Sequence, residues 1–363
     1  MLLLIVSACG KVEASPSFPD RDTRRRQATG VREIASSSPD ASFTAVDALD
    51  VDSRGFIYVP EMQHQRITVL DPGGKVVRAW GRRGRGPGEF RGVRSVQILP
   101  GDSVLAYDPS LGRISVFAPG SDEAAYTVSL GTRGAVPFDV RRTGYNAALL
   151  ALYRPQFQFL PGADFSNRTD RVRLLALDGS RLYDLVEFPS KAFLVAQNSV
   201  MPHPFGNEGF ARLDSRNRLF FVRSDSLGAA RYQLDGRRDG GFAIAYRAPE
   251  ITRRDHEEAL AAIPAQVRAR FTPALRDSLP ERWPVVRDVL IDDRDRIWML
   301  MGGSPRQGNE WAAFSTEGAY LGSMVVPAGS DARLIRWDRV YASRTDADDV
   351  PRVIVYQPLR PLR

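Results

Sequence analysis

The chain has 363 residues, 43% of them hydrophobic, which suffices for a sizeable core and excludes a disordered protein. Its 50 basic and 43 acidic residues give a net charge of +7, and every basic residue except Lys11, Lys75 and Lys191 is Arg. These arginines are spread along the chain, usually near an Asp, instead of clustering with interleaved aromatics, which excludes nucleic acid as a partner.

The first ten residues, Met1-Leu2-Leu3-Leu4-Ile5-Val6-Ser7-Ala8-Cys9-Gly10, hold the chain's single cysteine. The run Val6-Ser7-Ala8-Cys9 resembles the lipobox that ends a bacterial lipoprotein signal peptide. The resemblance implies residues 1–8 as a truncated signal and Cys9 as the lipid attachment point. A basic n-region is missing and the apolar run is short, as a misplaced start would leave them. No other stretch approaches the roughly 20 apolar residues of a membrane span, so the membrane is expected as a partner through the lipid anchor only. Without a second cysteine no disulfide framework can form. Residues 9–30, polar and including Arg24-Arg25-Arg26, read as anchor and flexible tether, with anionic head groups as an alternative contact for the Arg triplet.

From residue 31 the pattern is strand after strand. Asp52-Ser53-Arg54-Gly55, Asp214-Ser215-Arg216-Asn217 and Asp292-Asp293-Arg294-Asp295 each precede a short apolar strand and end in a residue that tolerates φ > 0. One hairpin recurring along a chain means repeated units. The strand after each turn is predicted at 56–59, 104–107, 147–152, 219–222, 297–300 and 339–342. Third strands are expected at 66–70, 113–117, 171–177, 230–234, 311–315 and 352–356. Fourth strands follow at 76–80, 124–130, 182–188, 241–246 and 320–326. Turns such as Leu70-Asp71-Pro72-Gly73-Gly74 and Leu234-Asp235-Gly236 join third to fourth strands.

These units predict an all-β fold, a six-bladed β-propeller with four-stranded antiparallel blades over 31–357 and a tail at 358–363. The sixth unit lacks a fourth strand, and residues 31–36 alternate like one, so they are expected to pair with 352–356 and close the last blade. The junction Trp80-Gly81-Arg82-Arg83-Gly84-Arg85-Gly86-Pro87-Gly88-Glu89-Phe90, with the Asp-led hairpins, resembles the NHL-repeat propellers. That resemblance implies fold rather than activity, since such propellers include binding proteins, interaction scaffolds and metal-dependent lyases.

The long connections, 153–170, 189–209, 247–284 and 302–309, are all b–c or d–a loops, which open on one face of a propeller. Function is expected on that face. The segment 247–284 is the one helical insertion: Thr252 and Asp255 suggest a capping box, Pro264 ends the first helix, and Thr272-Pro273 suggests the start of a second. It is either packed filling for the rim or a lid over the channel. The insert aromatics Tyr153, Phe157, Phe159, Phe205 and Trp283 are expected to pack beneath the rim.

Candidate ligand-face residues are Arg82, Arg83 and Arg85 on the Gly-rich junction, able to meet an anion, and the three histidines His64, His203 and His256. Glu61 with Arg66 and Asp108 with Arg113 repeat one spacing in equivalent loops, which favours a structural ion pair or turn hydrogen bond over catalysis. A calcium or zinc site would need carboxylates at the channel top, where Asp47, Asp139, Glu208 and Asp288 stand near the innermost strand starts. No Ser-His-Asp set shares a motif context. The expected protein is a non-enzymatic cell-envelope scaffold without a cofactor, binding a protein or small molecule, acidic groups favoured, on the insertion face. Outer-membrane or periplasm-facing placement is favoured by Gly10 after the cysteine. The alternative is a metal-dependent, lactonase-like hydrolase or lyase using Ca or Zn.

Overall fold

Each repeated polar turn is organised by its leading aspartate. Asp52 Oδ1 accepts the N–H groups of Arg54 and Phe56 at 3.0 and 2.9 Å. Asp214 does the same for Arg216 and Arg218 at 3.0 and 2.7 Å, and Asp292 for Arg294 and Arg296 at 3.0 and 2.9 Å. The residues closing these turns, Gly55, Asn217 and Asp295, sit at φ +88°, +62° and +60°, as their identities predict. A buried carboxylate thus satisfies turn amides that would otherwise lack partners, and the apolar strand begins directly afterwards.

The computed structural model describes residues 18–38, 41–130, 136–144, 148–154, 168–196 and 199–360. Cys9 and the signal-like segment lie outside the described residues, as do Phe157 and Phe159. The fold is all-β with three short helices in a propeller-like arrangement. Sheet 1 contains Asp50–Val51, Ile57–Glu61, Arg66–Leu70 and Val76–Trp80; sheet 2 contains Ser95–Ile98, Val104–Asp108, Arg113–Phe117 and Ala124–Ser129. Sheet 3 contains Asp139–Arg142, Leu149–Tyr153, Thr169–Leu175 and Arg181–Pro189; sheet 4 contains Gly209–Leu213, Leu219–Arg223, Leu227–Tyr232 and Arg238–Ile244. Strand positions therefore follow the sequence expectation closely in these units.

The expected fifth and sixth separate blades are replaced by one eight-stranded sheet. Its first half runs Val286–Ile291, Ile297–Met301, Asn309–Phe314, Tyr320–Val326, and its second half is Ser330–Arg336, Arg339–Thr345, Pro351–Pro358 with Thr29–Ser36. Val31 to Ser36 pair antiparallel with Pro358 to Ile354, through a bulge between Glu33 and Ala35. Thr29 and Gly30 also pair parallel with Met324 and Val325, and this second contact fuses the two halves.

Among the described residues, six apolar clusters lie between successive sheets or, in one case, between the two halves of the eight-stranded sheet. Tyr58 and Ile67 of sheet 1 meet Val104 and Phe117 of sheet 2, and Tyr107 and Ile114 of sheet 2 meet Leu149 and Leu175 of sheet 3. Leu150 and Leu174 meet Leu219, and Phe220 and Val222 meet Val286 and Met299. Trp298 and Trp311 meet Val340 and Ile354 within the eight-stranded sheet. Tyr341 and Val353 finally pack on Ile57 and Val59 of sheet 1, closing the ring.

Helix α1, Arg21–Gln27, overturns the reading of residues 18–30 as free tether. Asp20 caps it, accepting from Thr23 N–H at 2.9 Å, and Arg24 is wholly buried. Phe18 packs edge-on against Tyr246 and Tyr320, which holds the segment against sheet 4 and the eight-stranded sheet. Helices α2, Arg253–Ala262, and α3, Ala265–Asp277, form the expected insertion. The capping box of Thr252 and Asp255 is present. Pro273, expected at a helix start, lies inside α3, and the hydroxyl of Thr272 donates to the Arg268 carbonyl at 2.8 Å in that interrupted turn. Among the described residues no helix is long and apolar enough to cross a membrane.

Candidate ligand-binding cleft

Two insertions meet on the face where the long loops were expected. The connection from sheet 3 to sheet 4 contains a hairpin, Phe193–Ala196 with Ser199–Pro202, that the sequence pattern does not announce. Leu194 and Phe205 from this connection pack with Ile263, Phe271 and Leu275 of the helical insertion and with Trp283, a small core separate from the layers below. Phe205 and Trp283 meet edge-to-face at 4.8 Å, so these two insert aromatics do pack beneath the rim. At its other end the insertion is held by Arg306, which pairs with Asp255 at 2.9 Å and with Glu258 at 2.8 Å.

His203 staples the two insertions together. Its Nδ1 accepts the Phe205 N–H at 3.0 Å, which leaves Nε2 as the donor to the Ser278 carbonyl and hydroxyl at 3.2 and 3.0 Å. Burial pushes the imidazole below its ordinary value, and the hydrogen bond to Ser278 opposes this only in part. A neutral, doubly bonded imidazole positions the walls and leaves no lone pair for a metal.

Between the walls lies an open cleft of 770 Å³. Phe193, Leu194, Phe205 and Phe221 supply apolar surface, and Val195 and Leu279 stand 37% and 36% exposed on or beside the rim. Lys191 pairs with Glu208 at 3.0 Å, and Arg223 pairs with Asp225, their Nε–Oδ1 contact being 3.1 Å. The Glu208 N–H donates to Ser224 Oγ at 2.8 Å, and Ser224 Oγ donates to Asn207 Oδ1 at 3.2 Å. The cleft therefore offers aromatic faces beside charged pairs of both signs. Lys191 carried a signal in the sequence, as one of only three lysines in an arginine-rich chain.

The other residues singled out from sequence are not brought to this cleft. His64 Nδ1 lies 2.6 Å from Glu61 Oε2 in the first b–c loop of sheet 1, and His256 is on α2. Burial pushes the Glu61 carboxyl up, but hydrogen bonds from Arg66, Thr68 and His64 outweigh it and hold the group below its ordinary range. Glu61 and Arg66 form the expected ion pair at 2.7 Å. The analogous pairing of Asp108 with Arg113 does not form. Asp108 instead accepts the N–H groups of Arg91, Gly92 and Leu111, while Arg113 donates to the carbonyls of Arg85, Gly86 and Glu89. Arg82 pairs with Glu89 at 2.8 Å, and Arg83 and Arg85 are exposed on the same loop.

Of the candidate metal carboxylates Glu208 lines the cleft, paired with Lys191, and the others are engaged elsewhere or stand apart. Asp288 pairs with Arg212 of sheet 4 at 3.1 Å, and Asp139 accepts from Ser95 of sheet 2 at 2.8 Å and pairs with Arg141 at 3.3 Å. Asp50, not singled out earlier, pairs with Arg336 at 2.8 Å across the ring closure. The inner strands are thus cross-linked by arginine–aspartate pairs. Asp47 is exposed, and Glu208 faces Lys191. Among the described residues, no group of three or more His, Cys, Asp and Glu is placed to hold a metal.

No protein-family model and no curated protein matches this sequence. Solved structures do match in shape. A member of the DUF4221 family from Bacteroides vulgatus superimposes at a TM-score of 0.56 with 9% identity, covering 91% of this chain and 98% of that one. A putative exported protein from Bacteroides fragilis superimposes at 0.54 with 8% identity, over 95% and 98% of the two chains. A gluconolactonase from Xanthomonas campestris matches at 0.46 with 12% identity, over 93% and 87%. At such identities the likeness is one of fold, and the fold shared is the β-propeller.

Proposed function

We propose that this protein is a cell-envelope binding module, a six-bladed propeller of NHL type anchored through Cys9, that takes its ligand on the insertion face. The eight-stranded sheet reads as blades five and six bridged by Thr29 and Gly30, because six apolar clusters separate six layers. The carrying observation is the cleft between the hairpin of 193–202 and α3. Its 770 Å³ falls in the roughly 300–1,000 Å³ of small-molecule sites, and its lining mixes aromatic walls with a few charged groups. That lining suits an amphipathic small molecule or a partner's aromatic or aliphatic side chain flanked by a charge. Hydrolytic or lyase chemistry draws no support from the site, where the one histidine is neutral, buried and bonded at both nitrogens.

The test is a thermal-shift screen of amphipathic carboxylates and amines on the intact folded domain, followed by titration of each hit against rim variants. Val195→Arg and Leu279→Asp are expected to weaken binding at least fivefold with little change in unfolding temperature. Hits whose affinity ignores both substitutions, or whose crystal complexes place them on the short-turn face, overturn the assignment.

A further inference from the structure

A second feature of the insertion face concerns charge rather than volume. Arg94 and Phe138 immediately precede the innermost strands of sheets 2 and 3, and Arg154 follows the second strand of sheet 3, so all three stand where the central channel opens. The Arg94 guanidinium carbon lies 3.8 Å from the Phe138 ring centroid, and that of Arg154 lies 4.4 Å from the same centroid. Two like charges are therefore held on one ring, separated by no more than about 8 Å.

The ring itself is fixed. The Phe138 N–H donates to the Leu152 carbonyl at 2.6 Å, and the Tyr107 hydroxyl donates to the adjacent Pro137 carbonyl at 2.5 Å. Arg154 is fixed as well, paired at 2.9 Å with Asp170, which is 1% exposed. Arg94 differs. Three arginines of the inner strands have carboxylate partners, Arg212 with Asp288, Arg336 with Asp50 and Arg141 with Asp139, whereas Arg142 and Arg287 bond to the Tyr126 hydroxyl and the Gly303 carbonyl. Among the described residues Arg94 has no ion pair, and its nearest carboxylates are spoken for or set back: Asp139 serves Ser95 and Arg141, and Asp47 is an exposed rim residue. Burial disfavours the Arg94 charge, Asp139 and Asp47 favour it from a distance, and Arg154 again disfavours it.

We propose that the Arg94–Phe138–Arg154 stack seats an oxyanion, the carboxylate or phosphate group of a ligand that enters the channel mouth. The ring face, negative in its quadrupole, holds the two cations, and the ring edge, positive, faces the same anion that both guanidinium forks can reach. An anion there neutralises a guanidinium that has no carboxylate partner among the described residues. This site is separate from the hairpin–helix cleft and does not depend on it.

The experiment titrates the intact domain with phosphate, sulfate, acetate and benzoate at constant ionic strength, reading unfolding temperature and heats of binding. Saturable stabilisation by at least one of these anions is expected, at least fivefold weaker in Arg94→Gln and unchanged in Arg238→Gln, an exposed control on the outer strand of sheet 4. Preference for phosphate over the carboxylates, or the reverse, identifies which group the ligand carries. Absence of saturable binding by all four, or equal binding in Arg94→Gln, overturns the proposal. Should Arg94→Gln fail to fold, wild-type crystals soaked in selenate decide: an anomalous peak beside Arg94 is expected, and none there overturns it. Val195→Arg, which tests the cleft, should leave these titrations unchanged.

Discussion

Arg24 and Glu310 form an ion pair at 2.9 Å with side chains 0% and 4% exposed, joining residues 286 positions apart. The rest of the guanidinium is also satisfied, by the Pro19 carbonyl at 2.6 Å, the Tyr246 hydroxyl at 3.3 Å and the rings of Phe18 and Tyr246 at 4.3 and 5.1 Å. Arg25 stands 3.7 Å from the second Glu310 oxygen. Cation–π contacts and hydrogen bonds together offset the desolvation of a charge that has no access to water.

Breaking that pair should be costly in an asymmetric way. Glu310→Gln leaves Arg24 charged and buried, and should lower unfolding stability by about 3–5 kcal/mol. Arg24→Met leaves Glu310 with Arg25 nearby, so its loss should be smaller. The double variant Arg24→Met with Glu310→Leu should recover much of the stability. Urea denaturation of the three proteins checks this, and single variants within error of wild type would show that α1 contributes little.

The aspartate hubs predict an order of sensitivity. Asp292 accepts two turn amides, Arg296 Nε at 2.6 Å and Trp298 Nε1 at 2.8 Å, whereas the second oxygen of Asp52 takes Tyr58 at 3.2 Å and exposed Arg54 at 3.5 Å. Asp292→Ala leaves a buried indole N–H without a partner and the buried Arg296 guanidinium with Asp338 alone, at 2.9 Å, and should cost about 3 kcal/mol. Asp52→Ala should cost about 1–3 kcal/mol, the range for an unsatisfied neutral group. Equal losses in urea denaturation would mean that the turn amides alone carry the effect.

The His203 staple predicts a pH dependence. Its folded value is depressed, so the unfolded chain takes up the proton first as pH falls. The contribution is fully present above the unfolded value of about 6.5 and is lost progressively between there and the lower folded value. Stability should therefore decline from pH 7 toward pH 5, before most carboxylates titrate. His203→Gln should flatten that decline. A wild-type profile flat over this range would remove the staple from the account.

Much of this architecture was legible because it is local. A turn Asp bonds to amides two and four residues onward, so Asp52, Asp214 and Asp292 announce their hairpins within a five-residue window. The closing role of residues 31–36 also followed from a simple count, a sixth unit short of one strand. Helix α1 was missed because three successive arginines look like solvated chain. Glu310 and Tyr246, both far along the sequence, turn Arg24 inward. The spacing that gave Glu61 and Arg66 their ion pair gave Asp108 a turn hydrogen bond from Leu111 instead, because the Gly-rich junction folds its carbonyls across the Arg113 guanidinium. The cleft was illegible for the same reason: Lys191 and Ser278 line one cavity yet stand far apart in sequence.

The pairing of Thr29–Ser36 with Pro351–Pro358 also sets the timing of folding. The strand Thr29–Ser36 is made more than three hundred residues ahead of its partner, Pro351–Pro358. At about 5–20 residues per second, synthesis leaves the early strand without its antiparallel partner for on the order of tens of seconds. Loop closure over such a span adds its entropic term only when the final strand arrives. Sheets 1 to 4 can assemble in order, but the early strand must wait as an open β edge until Pro351–Pro358 reaches it. The ring is therefore expected to close as its slowest step, and a nascent chain to be most prone to strand-mediated association just before residues 351–358 emerge.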